Sequence, residues 1–252
     1  MKRILSFIIS LIFIFTLNAC GNSDTVSTEN SIIGATSQSP SASAIDEFLL
    51  SGASPVFYNT ASETVLALEN GKIDYAVLDE FDFYDFSKNE RPIEIVEKAQ
   101  YSLNSYAYFS ADNIELKEKF DSAIETLREN GTIENIKNGY LQKSAESKIN
   151  TYSFSNSLIM LCDPSFPNRV YTDDNGNILG SDVDIAREIC AELGYSLEIV
   201  GADFDELFIM LENGEGDFIM SSAELTEERA AQYLASQPYF TLNFYLVKRK
   251  SV

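Results

Sequence analysis

Apolar residues fall in two alternating periods along the chain. Runs of strand length stand at Ile32–Ala35, at VFYN (56–59) and at IDYAVL (73–78). Between them, Ala42–Leu50 and ASETVLALEN (61–70) place their apolar positions at helical spacing. Strand–helix–strand order implies parallel pairing through right-handed crossovers. Residues 81–98 are polar and aromatic with a strand-like IEIVE at 93–97, and YSLNSYAYFS (101–110) reads as a further strand. Leu116, Phe120, Ile124 and Leu127 recur at spacings of four, four and three, which predicts an amphipathic helix over 113–129. A shorter helix follows at 131–142, and the polar SAESKIN stretch reads as an internal linker.

The second half repeats the alternation. SNSLIMLCD is a strand ending at Asp163, and PNRVYTDDNGNILG is a hairpin turning at Asn175-Gly176. SDVDIAREICAELG is a helix with Ser181 or Asp182 near its N-cap and Gly194 after its end. SLEIVG, DFIMSS and YFTLNFYLVKRK are strands; FDELFIMLEN and TEERAAQYLAS are helices. One heptad is written twice, as Leu68-Glu69-Asn70-Gly71-Lys72-Ile73-Asp74 and as Leu211-Glu212-Asn213-Gly214-Glu215-Gly216-Asp217. Each copy is a helix end, a glycine stop and the entry to a buried strand. The first strand ends at Asp79, the second at Ser221-Ser222. Ligands of open α/β sheets bind beyond the carboxyl ends of the strands, so two such sheets face to face bring these residues to one cleft.

The N-terminus departs from this pattern. A basic start, an apolar run of about 14 residues and Leu17-Asn18-Ala19-Cys20 read as a secretory signal, too short for the roughly 20 residues of a spanning helix. Leu-Asn-Ala-Cys resembles the bacterial lipobox, which implies a lipidated Cys20 and anchorage to the extracytoplasmic face of the membrane; GNSDTVSTENS then serves as a tether. The formal net charge of −21 argues against nucleic acid as a partner. With no His in the chain, His-dependent triads and His-ligated metals are excluded. An EF-hand register on Gly176 would place Tyr171 at the first ligand position, so no metal or other cofactor is expected. Cys162 and Cys190 form no CxxC pair; buried thiols or one disulfide both fit.

Residues 157–250 resemble the first lobe of the periplasmic amino-acid-binding proteins, the family-3 solute-binding proteins of ABC importers. The likeness is carried by Asp163-Pro164, Phe166, DNGNILGSDVDIAREICAELG, FDELFIMLENGEGDFIMSS and LTEERAAQYLASQPYF. IIGATSQS and ALENGKIDYAVLDE, within 32–98, resemble the second lobe, and 100–142 resembles the return to lobe one. The resemblance implies an α/β, two-lobed type II fold with permuted lobe order. The expected boundaries are 1–19 signal peptide, 20–31 anchor and tether, 32–98 lobe two, 99–143 return, 144–152 linker and 153–252 lobe one. The alternative to a permuted monomer is a pair of truncated domains completed by swapping.

The resemblance also implies a ligand site. Arg229 matches the clamp for a ligand carboxylate, and Ser222 with Ser221 the hydrogen-bonding strand end. Asp79 matches the acid that takes the ammonium, Phe166 and Phe204 the side-chain sandwich, and Ser39 and Ser41 the polar loop of lobe two. Asp163 and Glu224 add negative charge and favour a polar or basic amino acid over an acidic one. Four places depart from the family pattern: Asn168-Arg169-Val170 replaces Pro-Phe, Gly180-Ser181-Asp182 replaces Gly-Phe-Asp, the loop glycine expected near Gln38 is missing, and Glu224 replaces a small polar residue. The function implied is a non-enzymatic, lipid-anchored binding protein delivering an amino acid-like solute to an ABC permease. The alternatives are a sensor or interaction protein with a degenerate cleft, or a dehydratase-like enzyme with Glu224 or Asp163 as general acid.

Overall fold

The computed structural model describes residues 27–37, 39–142 and 152–251. The expected signal peptide, Cys20, most of the expected tether and residues 144–151 of the expected linker lie outside the described residues. Two five-stranded sheets, each flanked by helices, form the two lobes of an α/β fold.

Lobe two comes first. Its strands are β1 (Ile32–Thr36), β2 (Ser54–Tyr58), β3 (Tyr75–Asp79) and β4 (Ile93–Ser105), and its helices α1 (Pro40–Ala44), α2 (Ala61–Glu69) and α3 (Glu80–Lys88). The chain then enters lobe one through β5 (Tyr108–Phe109), α4 (Ile114–Glu129) and α5 (Thr132–Leu141). Lobe one continues with β6 (Ser157–Cys162), a small antiparallel sheet of β7 (Ser165–Phe166), β8 (Val170–Thr172) and β9 (Ile178–Leu179), α6 (Ser181–Glu192), β10 (Ser196–Gly201), α7 (Phe204–Glu212), β11 (Phe218–Ile219), α8 (Glu227–Gln232) and β12 (Leu234–Ala235). β13 (Phe240–Arg249) crosses back.

The sheets share one strand order. Lobe two reads β2-β1-β3-β13-β4 and lobe one β10-β6-β11-β5-β12. In each, three strands pair in parallel, and the next strand in the order, which arrives from the other lobe, pairs antiparallel with the third. The segment 240–249, expected with lobe one, therefore lies in the sheet of lobe two, hydrogen-bonded between β3 and β4. β4 and β13 are the two crossings, side by side, with Phe240 opposite Ser105.

The repeated heptad performs one job in both lobes. Lys72 N–H donates to Ala67 O and Gly71 N–H to Leu68 O, while Glu215 donates to Met210 and Gly214 to Leu211 in the same way. This is the Schellman ending, with Gly71 at φ 68° and Gly214 at φ 73°. The final Asp then fastens the crossover. Asp74 Oδ2 accepts from Ile32 N–H at 2.8 Å, and Asp217 Oδ2 from Ile159 N–H at 2.7 Å. The likeness of the two copies is thus a matched helix stop and strand clamp.

Most predicted elements appear near their expected positions, with four differences. The helix expected over TEERAAQYLAS is α8 and stops at Gln232, and Leu234-Ala235 forms β12 instead. Ala42–Leu50 is not one helix: α1 is five residues long and a 3-10 turn over Ile45–Phe48 follows it. The polar, aromatic stretch after Asp79 contains a helix, α3, which buries Phe83 and Phe86. The two strands expected over 93–97 and 101–110 are one 13-residue strand followed by the short β5, with register shifts opposite Asn243–Tyr245 and Leu246–Val247. The predicted amphipathic helix is α4; Leu116, Phe120, Ile124 and Leu127 are all buried, and Phe120 packs 4.9 Å from Phe109 and 4.7 Å from Phe218.

Candidate functional site

The carboxyl ends of both parallel sheets open into one cavity of about 440 Å³ between the lobes, within the range of small-molecule pockets. Each wall follows from local chain chemistry. On lobe two, β3 ends at Asp79, whose carboxylate caps α3 by accepting from Asp82 N–H at 2.9 Å. The first turn of α3 thereby brings Asp79, Phe81 and Asp82 to the cavity. On lobe one, Phe166 to Arg169 follow β6, Phe204 opens α7, and Ser221 to Glu224 follow β11. Thr226 caps α8 by accepting from Arg229 N–H at 3.2 Å, which sets the arginine at the rim.

Of the residues expected at the site, Arg229, Asp79, Ser221, Ser222, Phe166, Phe204 and Glu224 line the cavity. Asp163, Ser39 and Ser41 are not among its lining residues. Asp163 is spent locally: its Oδ1 accepts from Ser165 N–H at 3.0 Å, and its own N–H donates to Ser221 Oγ at 2.9 Å. Ser39 Oγ donates to Thr36 O at 2.8 Å and Ser41 is buried in α1; among the described residues of this loop, Pro40 meets the cavity. Sequence reasoning missed Phe81, Asp82, Leu103, Arg169 and Leu242. The Asp-Glu-Phe-Asp run carried a signal for Asp82, an N-cap Asp followed by acids in the first turn.

Charge is divided across the cleft. The Arg229 guanidinium donates to Glu224 O at 2.8 Å and lies over the rings of Phe204 (5.1 Å) and Phe208 (5.3 Å). Among the described residues it makes no ion pair. Tyr108 OH donates to the same Glu224 carbonyl, fixing the loop that carries Glu224. Opposite, burial pushes the Asp79 carboxyl above its ordinary range, with Glu80 adding to the rise. Asp82 is pushed up to about 7 by burial, then by Asp79 and Asp85. A cation entering between these acids restores their charge.

The floor is a buried polar cluster. Asp182 Oδ1 accepts from Arg169 Nε at 2.7 Å. Its Oδ2 accepts from Ser222 N–H (2.8 Å), Ser222 Oγ (3.0 Å) and Tyr239 OH (2.7 Å). Cys162 and Cys190 are free, buried thiols pushed up to about 12 by burial. Among the described residues no group of three or more His, Cys, Asp or Glu could hold a metal ion.

Residues 158–252 match the bacterial extracellular solute-binding proteins, family 3. The arginine-binding periplasmic protein of Mannheimia haemolytica is 35% identical over 92 residues, 36% of this chain and 39% of that protein. The arginine-binding extracellular protein ArtP of Bacillus subtilis is 32% identical over 77 residues, 31% of this chain and 30% of that protein. The chain thus spans well under half the length of either relative. Among solved structures, the arginine-bound form of domain 1 from TmArgBP is 35% identical, covering 38% of this chain and 81% of that one at a TM-score of 0.33. An ancestral arginine-binding protein bound to arginine is 31% identical, covering 32% and 35% at a TM-score of 0.30. Over residues 158–252 the chain is similar to the bacterial extracellular solute-binding proteins, family 3.

Proposed function

We propose that the protein is a lipid-anchored substrate-binding protein that captures an amino acid between its lobes for ABC-type import. The observation that carries this reading is the division of charge around one cavity, with Arg229 on lobe one and Asp79 and Asp82 on lobe two. A free amino acid has the complementary pair. Its carboxylate suits the Arg229 fork beside Ser222, and its ammonium suits Asp79. Phe166 and Phe204 supply apolar walls for the aliphatic stem. With Asp79, Asp82 and Glu224 against Arg229, which makes no ion pair among the described residues, a polar or basic side chain fits better than an acidic one. The names of several relatives point to the same ligand class.

The chain order is read as a circular permutation. Lobe-two parts precede lobe-one parts, and two adjacent strands still join the lobes, as closure about a hinge requires. Anchorage through Cys20, residence on the outer face of the membrane and delivery to a permease complete the reading. A thermal-shift screen against the twenty amino acids tests it, because a ligand of the folded state raises apparent stability. The expected result is a rise with lysine, arginine or histidine that exceeds any rise with glutamate. A well-folded monomer that responds to none of the twenty contradicts the reading and favours a degenerate cleft.

A further inference from the structure

Two of the stretches that depart from the family pattern, Asn168-Arg169-Val170 and Gly180-Ser181-Asp182, meet in space. Ser181 N–H donates to Asn168 O at 2.9 Å and Asp182 N–H to Arg169 O at 3.1 Å, so the loop carbonyls satisfy the start of α6. Gly180, at φ 133°, permits the approach; a Cβ there would stand 2.1 Å from Arg169 O. The side chains close the same contact. Arg169 and Asp182, 7% and 0% exposed, form an ion pair at 2.7 Å.

We propose that Arg169 is the positioning residue of the ligand cleft, holding Ser222 through Asp182 and tying that seat to both strands that join the lobes. The first link is electrostatic. A fully buried carboxylate persists as an anion only when paired and hydrogen-bonded. Arg169 supplies the charge, which leaves Asp182 Oδ2 to accept from the amide and hydroxyl of Ser222. Ser222 needs the hold, because it sits at φ 54°, in the left-handed region that a side chain disfavours. The second link is mechanical. The Arg169 guanidinium donates to Ser105 Oγ at 3.1 Å, at the end of β4, and stacks 3.7 Å above the Phe240 ring, at the start of β13. Phe240 in turn stacks on Phe81 of the opposite wall, ring centres 6.0 Å apart and planes 12° apart. Ligand seat, both crossings and the far wall therefore meet at one side chain.

This inference rests on the proposed function, and its test separates the two. L-Arginine is titrated calorimetrically into wild type, R169K, R169M, the R169M/D182N double variant and R229A. Circular dichroism verifies folding of each. The Arg169→Met change removes the charge that holds two hydrogen bonds to Ser222, so affinity falls about 30-fold. R169K keeps the charge and stays within about 5-fold of wild type. R169M/D182N removes the stranded anion and regains at least about 5-fold over R169M, a rescue that loss of packing alone does not give. Should R169M not fold, R169Q, which retains a donor toward Asp182, takes its place. Wild-type affinity in folded R169M or R169Q, with binding lost in R229A, overturns the role of Arg169 and leaves the function standing. Equal losses in R169M and the double variant also overturn it. Absence of binding by wild type to every amino acid overturns the functional reading and this inference with it.

Discussion

Behind the cleft, the lobes are joined by a buried ion pair whose removal has a calculable effect. Glu80 opens α3 of lobe two and Lys137 lies on α5 of lobe one; they are 2% and 8% exposed and 2.6 Å apart. Lys137 Nζ also donates to Thr241 O at 2.7 Å and lies 5.1 Å from the Phe240 ring centre. Removing one partner of a buried pair costs about 3–5 kcal/mol. Glu80 would keep two donors from Asn243, the backbone N–H at 3.1 Å and Nδ2 at 2.9 Å, which places Lys137→Met near the lower end. About 3 kcal/mol corresponds to about 10 °C in melting temperature for a protein of this size. The E80Q/K137M double variant strands no charge and should lose less than K137M alone. Urea denaturation of wild type, both single variants and the double variant measures the cycle. A K137M loss below about 1 kcal/mol, or one no larger than that of the double variant, would refute the assignment of a buried interlobe charge pair.

Three further outcomes are expected. Asp82, raised from 3.8 to about 7, binds more protons folded than unfolded between those values, so its contribution to stability falls as pH rises from about 4 to 7. Affinity for a cationic ligand should rise over pH 5.5–8 as Asp82 ionises, and D82N should flatten both profiles; unchanged slopes in D82N would assign the titration elsewhere. Asp74→Ala and Asp217→Ala remove matched clamps on β1 and β6 and should each cost about 1–2 kcal/mol, with D217A the larger because its hydrogen bond is partly buried. Because the two clamps sit in different lobes, their effects should add within about 0.5 kcal/mol, and strong coupling between them would contradict separate clamps.

The parts of the fold legible in the sequence are those fixed by local chemistry. Asn-Gly helix stops, the Asn175-Gly176 turn and the spacing of Leu116, Phe120, Ile124 and Leu127 each act within a few residues. Helix α3 was hidden because acids and aromatics mask its apolar face, although Asp79 as N-cap and Phe83 with Phe86 at helical spacing mark it. The length of β4 depends on tertiary partners. The Glu47 carboxylate accepts from the N–H groups of Gln100 and Tyr101 where the register with β13 shifts, and nothing near Gln100 announces a glutamate from 53 residues away. The site divides the same way. Residues at strand ends and helix starts, such as Asp79, Ser222 and Arg229, could be placed by motif. The Arg169–Asp182 pair could not, because it exists only once the β8–β9 hairpin folds the loop onto α6.

The central claim is that Arg229 and Asp79 hold opposite ends of one amino acid across the cleft. Calorimetric titration of L-arginine into wild type, Arg229→Ala and Asp79→Ala tests it most directly. The account predicts saturable one-to-one binding by wild type, weakened at least about 100-fold in each variant while both remain folded. Binding that survives in either variant, or is absent from folded wild type for every amino acid, contradicts it.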